Sequence, residues 1–176
     1  LARFAREARA ASRLKHPRIT QVLGHGVLED GHHFISMEFV EGCNLEEYLA
    51  NRKTLNPTEV IQIGIQIAEA LHFAHEESVI HRDLKPANIL LGGGTTHPLD
   101  VRVCDFGIAK ILNSDGKTFQ TMAGVVCGTP DYISPEQAMG RPLDGRSDLY
   151  SLGALLFELL VGCAPFTGKN AVEVME

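Results

Sequence analysis

The sequence has no excess of positive charge: 16 Lys and Arg stand against 22 Asp and Glu, a formal net charge of -6. Binding to nucleic acid rests on neutralised phosphates and needs a basic surface, so this balance argues against that class of partner. Cysteine is sparse and unclustered. Cys43, Cys104, Cys127 and Cys163 lie far apart, with neither zinc nor disulfide spacing, which points to a reducing compartment. Cys104 and Cys163 sit in apolar runs and are expected to be buried thiols. No run is long and apolar enough to cross a bilayer. The longest, Leu152 to Val161, is broken by Glu158, where a spanning helix needs about 20 apolar residues. There is no signal peptide, and no phosphate-cradling glycine loop. Gly92-Gly93-Gly94 lacks a following Lys-Ser/Thr and a helix, and reads as a flexible hairpin turn.

What remains is an ordinary globular composition, 44% hydrophobic and 22% charged over 176 residues, which suggests one domain. Phe4, Ala8, Ala11 and Leu14 recur at helical spacing, and His16-Pro17 ends that helix. Ile19 to Leu28 and His33 to Val40 read as two strands joined by an Asp30-Gly31 turn. Asn44 is placed to cap a short helix to Ala50, with Glu46 and Glu47 in its first turn. A second helix starts at Asn56-Pro57-Thr58-Glu59. Its stripe of Val60, Gly64, Ile67, Ala68, Leu71, Ala74 and His75 is widened by Ile61, Ile63 and Ile65, predicting a helix buried on most sides. A last apolar helix runs from Ser147 or Asp148 to Leu160, with Gly162 as its C-cap.

The chemistry concentrates in His81-Arg82-Asp83-Leu84-Lys85-Pro86-Ala87-Asn88, which runs into the apolar Ile89-Leu90-Leu91. Pro86 forbids a helix there, so polar tips are held in a loop at the edge of a hydrophobic body. Asp83 can accept a proton from a hydroxyl. Lys85 can meet an anion, and Asn88 can offer an oxygen to a hard cation such as magnesium. A second acid, Asp105 of Asp105-Phe106-Gly107, follows another apolar run. Together they suit a metal-bound polyphosphate and a nucleophilic hydroxyl.

This set resembles the eukaryotic-type (Hanks-type) serine/threonine protein kinases, in a wording similar to bacterial members. His81-Arg82-Asp83 resembles the catalytic loop, Asp105-Phe106-Gly107 the metal-binding triplet, and Ser134-Pro135-Glu136 the end of the activation segment. The resemblance implies an α+β, two-lobed fold. Residues 1–40 would be the remainder of the small lobe with its hinge, and residues 41–176 a large lobe lacking its final helices. It implies ATP and Mg2+ as cofactors, protein serine or threonine as substrate, self-association for autophosphorylation, and a cytoplasmic location with any membrane tether outside these residues.

The roles that the resemblance implies are specific. Asp83 orients the hydroxyl and takes its proton, Lys85 neutralises the moving phosphoryl group, and Asn88 and Asp105 hold magnesium. Glu7 pairs with a strand lysine near the phosphates. Met37 backs the adenine, the Glu38 and Val40 backbones bond its edge, Leu90 belongs to the nucleotide site, and Asn44 falls at the ribose. His81 packs under Phe106 beside Gly107. Arg82 awaits a phosphate on the activation segment, where Thr118, Thr121 and, less favoured, Ser114 are candidate acceptors. Thr129, of Gly128-Thr129-Pro130, braces Asp83 and Lys85. Asp148 bonds the backbone around His81 and Arg82. Glu136 pairs with an arginine beyond Glu176. The sequence thus reads as a domain cut at both ends, expected to be poorly stable and weakly active alone, because half a buried ion pair costs about 3–5 kcal/mol. The competing reading is a pseudokinase or regulatory nucleotide-binding module of the same fold.

Overall fold

The computed structural model describes residues 10–50, 52–92, 100–106, 130–168 and 173–174. Two small antiparallel sheets and a helical body make up a mixed α+β architecture. Strand β1 (Val22–Val27) pairs with β2 (His33–Met37), Val27 opposite His33 and Val22 opposite Met37, with a register shift between Val22 and Gly24. Gly31, at φ +87°, makes the turn and donates its N–H to the Leu28 carbonyl. Both strands are shorter than their apolar patterns predict. Ile19 makes only an isolated bridge to Val103, and the chain leaves the sheet after Met37.

The second sheet has the order β3-β4-β5, from β3 (Gly42–Asn44), β4 (Ile89–Gly92) and β5 (Asp100–Val103). At Gly42, φ is +150° and an added Cβ would stand 1.9 Å from the Leu91 carbonyl oxygen, so only glycine fits this close pairing. Helix α1 (Leu45–Ala50) leaves β3 directly, capped by Asn44 Oδ1 at 2.8 Å from the Glu47 N–H. Helix α2 (Pro57–Glu76) opens on a capping box: Asn56 Oδ1 accepts from Glu59 N–H at 3.0 Å, and Glu59 Oε2 from Asn56 N–H at 3.1 Å.

A short helix, α3 (Pro135–Ala138), is capped by Ser134. The long α4 (Gly145–Val161) begins earlier than its apolar pattern shows. Its cap is Asp144, which accepts the Arg146 N–H, while Asp148 lies inside the first turn. Gly162, at φ +87°, closes the helix in the left-handed region.

The core packs α2 against both α4 and strand β5 of the β3-β4-β5 sheet. Leu45, Ile63, Ile67, Ile89, Val101, Val103, Leu155 and Leu159 are all fully buried. Two expectations are corrected. Ile61 and Ile65 are 62% and 54% exposed, and Ala68 of the expected stripe is exposed too, so α2 buries one narrow stripe and not most of its circumference. Cys163 is exposed because Gly162 has already turned the chain out of α4, while Cys104 is buried.

Candidate functional site

The loop between α2 and β4 is held from below by one buried ring. His81 is completely buried. Its Nε2 donates to the Cys104 carbonyl at 2.8 Å, and its Nδ1 accepts the Asp83 N–H at 3.2 Å. Those partners specify a neutral imidazole with its proton on Nε2. Burial pushes its pKa below the ordinary 6.5, against the pull of Asp148. The ring meets Phe106 edge-on, with centroids 4.7 Å apart at 65°.

Above it, the polar tips converge. Lys85 Nζ stands 2.8 Å from Asp83 Oδ2. Asn88 Nδ2 donates to the Asp83 carbonyl at 2.7 Å and to Asp83 Oδ2 at 3.1 Å. The 3-10 turn Pro86–Asn88 makes this possible by folding Asn88 back over Asp83. Among the described residues, nothing donates a hydrogen bond to Asp83 Oδ1 or Asn88 Oδ1. Asp83 therefore keeps one acceptor for a substrate hydroxyl, and Asn88 keeps one oxygen for a cation.

The neighbouring strand brings the backbone at Asp105 beside the loop. The Cys104 N–H donates to the Asn88 carbonyl at 3.0 Å, and Asp105 follows at φ +66°. A non-glycine residue holds that conformation only where its surroundings impose it. Burial, aided by the negative charge of Asp105, pushes the Cys104 thiol beside it up to about 12. Among the described residues no three His, Cys, Asp or Glu side chains gather as a metal site. The donors available, one amide oxygen and one carboxylate, suit magnesium, which completes its shell with phosphate and water oxygens.

The frame around the loop is fixed by α4. The buried Asp148 accepts the His81 N–H on Oδ2 and the Arg82 N–H on Oδ1, each at 2.9 Å, and its Oδ2 also accepts from His75 Nε2 at 2.7 Å. Arg82 sits at φ +72°. Its Nε is buried without a partner among the described residues, a donor that suits an incoming anion. Ser147 Oγ donates to the half-buried Glu136 carboxylate, holding its pKa below the ordinary 4.5. Gln137, one residue on, donates from Nε2 to the Arg82 carbonyl at 2.6 Å. His75 and Gln137 were not marked by sequence as parts of the site. Only their polarity on otherwise buried faces hinted at it.

The residues expected at the hinge lie at the exit of β2 and along the β3-β4-β5 sheet. Met37 ends β2, half-buried. The Glu38 N–H donates to the Gln21 carbonyl at 2.9 Å, and its carboxylate accepts the Gln21 N–H at 2.9 Å and Arg102 Nη1 at 3.0 Å. The Glu38 side chain is thus spent on fixing the backbone. Val40 packs near Gly92, and Leu90 lies between Asn44 and Arg102 in the sheet register. Asn44 has given its Oδ1 to the α1 cap. Glu7, Gly107, Ser114, Thr118, Thr121, Gly128 and Thr129 lie outside the described residues.

Residues 2–176 match the protein kinase domain family. The chain is 51% identical over 174 residues to serine/threonine-protein kinase pkn3 of Myxococcus xanthus, covering 98% of this chain and 32% of that protein. It is 44% identical over 172 residues to serine/threonine-protein kinase PrkC of Bacillus subtilis, covering 98% of this chain and 25% of that one. Against serine/threonine-protein kinase PknB of Mycobacterium tuberculosis the figures are 41% over 175 residues, 98% and 27%. This chain spans only a quarter to a third of the length of these curated relatives.

Proposed function

The chain belongs to the protein kinase domain family, and from that premise we propose that it carries the catalytic centre of a serine/threonine protein kinase. The reaction is transfer of the ATP γ-phosphoryl group to a protein hydroxyl. One observation carries the reading. The Asp83 carboxylate is held by Lys85 at 2.8 Å and Asn88 at 3.1 Å, on a loop anchored by a buried carboxylate.

In this mechanism Asp83 orients the substrate hydroxyl and accepts its proton as the hydroxyl oxygen bonds to the γ-phosphorus and the bond to ADP breaks. Lys85, already poised beside Asp83, offsets charge on the moving group. Asn88 and Asp105 would hold magnesium, which would supply positive charge to offset that of the phosphates. Catalysis here is chiefly placement and charge stabilisation. The stretch Met37 to Val40, with Leu90 and Asn44, would receive the nucleoside, and Glu7 would bear on its phosphates. The unpartnered Arg82 Nε supports a phosphate-receiving role for Arg82, with Thr118 and Thr121 as acceptors and Thr129 as the brace. In lobe terms, residues 1–40 belong to the small lobe and hinge, and residues 41–176 to the large lobe.

Protein substrates carrying serine or threonine follow from this reading, as does self-association during autophosphorylation. The proposed location is cytoplasmic. Among the described residues no helix is long and apolar enough to cross a membrane. The test is phosphate transfer from labelled ATP with magnesium to a generic basic protein, using the full-length protein beside its Asp83→Asn variant. Strong label in the parent and almost none in the variant is expected. Equal label in both would end the assignment.

A further inference from the structure

The peptide unit joining Arg82 to Asp83 is held at both ends by side chains. Its carbonyl accepts from Gln137 Nε2 at 2.6 Å, and its N–H donates to His81 Nδ1 at 3.2 Å. One peptide earlier, the Arg82 N–H donates to Asp148. Between them Arg82 occupies the left-handed region at φ +72°, a conformation that persists only where surroundings over-determine it.

Gln137 is buried on α3, and α3 itself is docked on α4. Ser147 Oγ donates to the Glu136 carboxylate, and Ser151 Oγ donates to the Tyr132 carbonyl at 2.7 Å. The contacts close a ring. Arg82 is bonded to Asp148 through its N–H and to Gln137 through its carbonyl, while Ser147, beside Asp148, bonds Glu136, beside Gln137.

We infer that Gln137 is a positioning residue for Asp83, setting the plane of the Arg82–Asp83 peptide by a single amide-to-carbonyl hydrogen bond. This rests on the phosphotransfer reading of Asp83. The position calls for a neutral donor. A carboxylate of the same shape would set lone pair against lone pair, and an aliphatic side chain would leave the Arg82 carbonyl free to turn. Among the described residues the Gln137 side chain bonds the Arg82 carbonyl and neither the proposed nucleotide stretch nor Asn88 or Asp105, so its loss should act on the step proposed for Asp83. A displaced α3 lets go of the same carbonyl, so this bond ties the placement of α3 to that of Asp83.

The experiment compares the full-length protein with its Gln137→Glu, Gln137→Leu and Asp83→Asn variants. It measures kcat and the KM for ATP at about pH 8 and about pH 6, and the melting temperature of each. For Gln137→Glu at the higher pH, kcat should fall roughly ten- to a hundred-fold, with the KM for ATP within about twofold of the parent. Burial against the Arg82 carbonyl should raise the pKa of the new carboxyl, so that acidification protonates it and it then donates to that carbonyl. The deficit of Gln137→Glu should therefore narrow severalfold at the lower pH, while that of Gln137→Leu should not.

A kcat for Gln137→Glu within about twofold of the parent at the higher pH would overturn the inference. So would equal deficits in both Gln137 variants, with lowered melting temperatures and no relief on acidification, since packing alone would then explain them. An Asp83→Asn variant as active as the parent would overturn the phosphotransfer reading itself, and the role of Gln137 with it. Normal dependence on Asp83 with an indifferent Gln137 removes only the latter.

Discussion

Asp148 gives one carboxylate oxygen each to consecutive backbone N–H groups of the loop that carries Asp83, Oδ2 to His81 and Oδ1 to Arg82, both at 2.9 Å. The residue is 1% exposed, so this charge has left water and relies on its donors. Replacing it by Asn keeps the shape but offers one acceptor where there were two and turns an NH2 toward a backbone N–H. Asp148→Asn should lose roughly 1.5–3 kcal/mol of stability for each charge-assisted bond removed, and phosphotransfer should fall with it. Urea unfolding and initial rates on the same preparations check this. An unchanged midpoint together with an unchanged rate would show that the anchor is not needed.

His75 supplies the third donor to the same carboxylate, at 2.7 Å from α2. It is partly exposed, and two backbone donors remain without it, so its removal should be milder. His75→Ala should cost about 0.5–1.5 kcal/mol, and His75→Gln, which can still donate, should recover much of that. The urea midpoints of parent, Gln and Ala variants should fall in that order. A Gln variant as unstable as Ala would assign the effect to the lost ring and not to the bond.

Leu71 lies on the buried stripe of α2, 1% exposed, a short way before the loop that carries Asp83. Leu71→Ala should cost about 2–5 kcal/mol by leaving a cavity. Leu71→Asn should cost more, because its amide finds no partner there. Both should depress kcat through displacement of the loop, although Leu71 holds no chemistry. Melting temperatures and rates that fail to fall together would refute that coupling.

Much of this arrangement could be read from local patterns, and the reasons are local too. Asn44, Asn56 and Ser134 announce helix starts because a cap is a contact across three residues, and Gly162 announces a stop because the left-handed region favours glycine. Asp83, Lys85 and Asn88 lie within one tight turn, so their meeting follows from sequence spacing. Gln137 and His75 were illegible because their partners, Arg82 and Asp148, are distant along the chain. An amide or imidazole on an otherwise buried face does not say which backbone it serves. Ile61 and Ile65 misled for the opposite reason. Apolar residues beyond the i, i+3, i+4 stripe look buried in the sequence, but the packing of α2 against α4 and β5 covers only one side of the helix.

The buried His81 ring makes stability depend on pH in a definable window. Its folded pKa lies below the ordinary 6.5, so between that value and the folded one the unfolded chain binds a proton that the folded chain does not. Stability is therefore complete above about pH 6.5 and falls as pH drops below it, by up to about 1.4 kcal/mol per pH unit for one proton. Glu136, also held below its ordinary 4.5, adds its loss only at still lower pH, as pH falls through its folded pKa. Unfolding free energies at intervals from neutral down to about pH 5 should slope downward in the parent and flatten in His81→Leu. Parallel curves would remove His81 as the cause.

Cys104 and Cys163 should differ sharply in reactivity, and the contrast tests the interior of the site. The Cys104 thiol is buried beside Asp105 and raised to about 12, so at about pH 8 its thiolate is on the order of one part in ten thousand. Cys163 is exposed beyond the end of α4 and meets reagent freely. Alkylation of the native protein, followed by peptide mass spectrometry, should label Cys163 first. Cys104 should follow only as denaturant opens the sheet. Because the Cys104 N–H is bonded to the Asn88 carbonyl, its labelling reports opening where the end of β5 meets the start of β4, beside the two residues proposed to hold magnesium. Equal labelling rates for the two thiols without denaturant would mean that the strand opens readily, and the close placement of Asn88 and Asp105 could not be maintained.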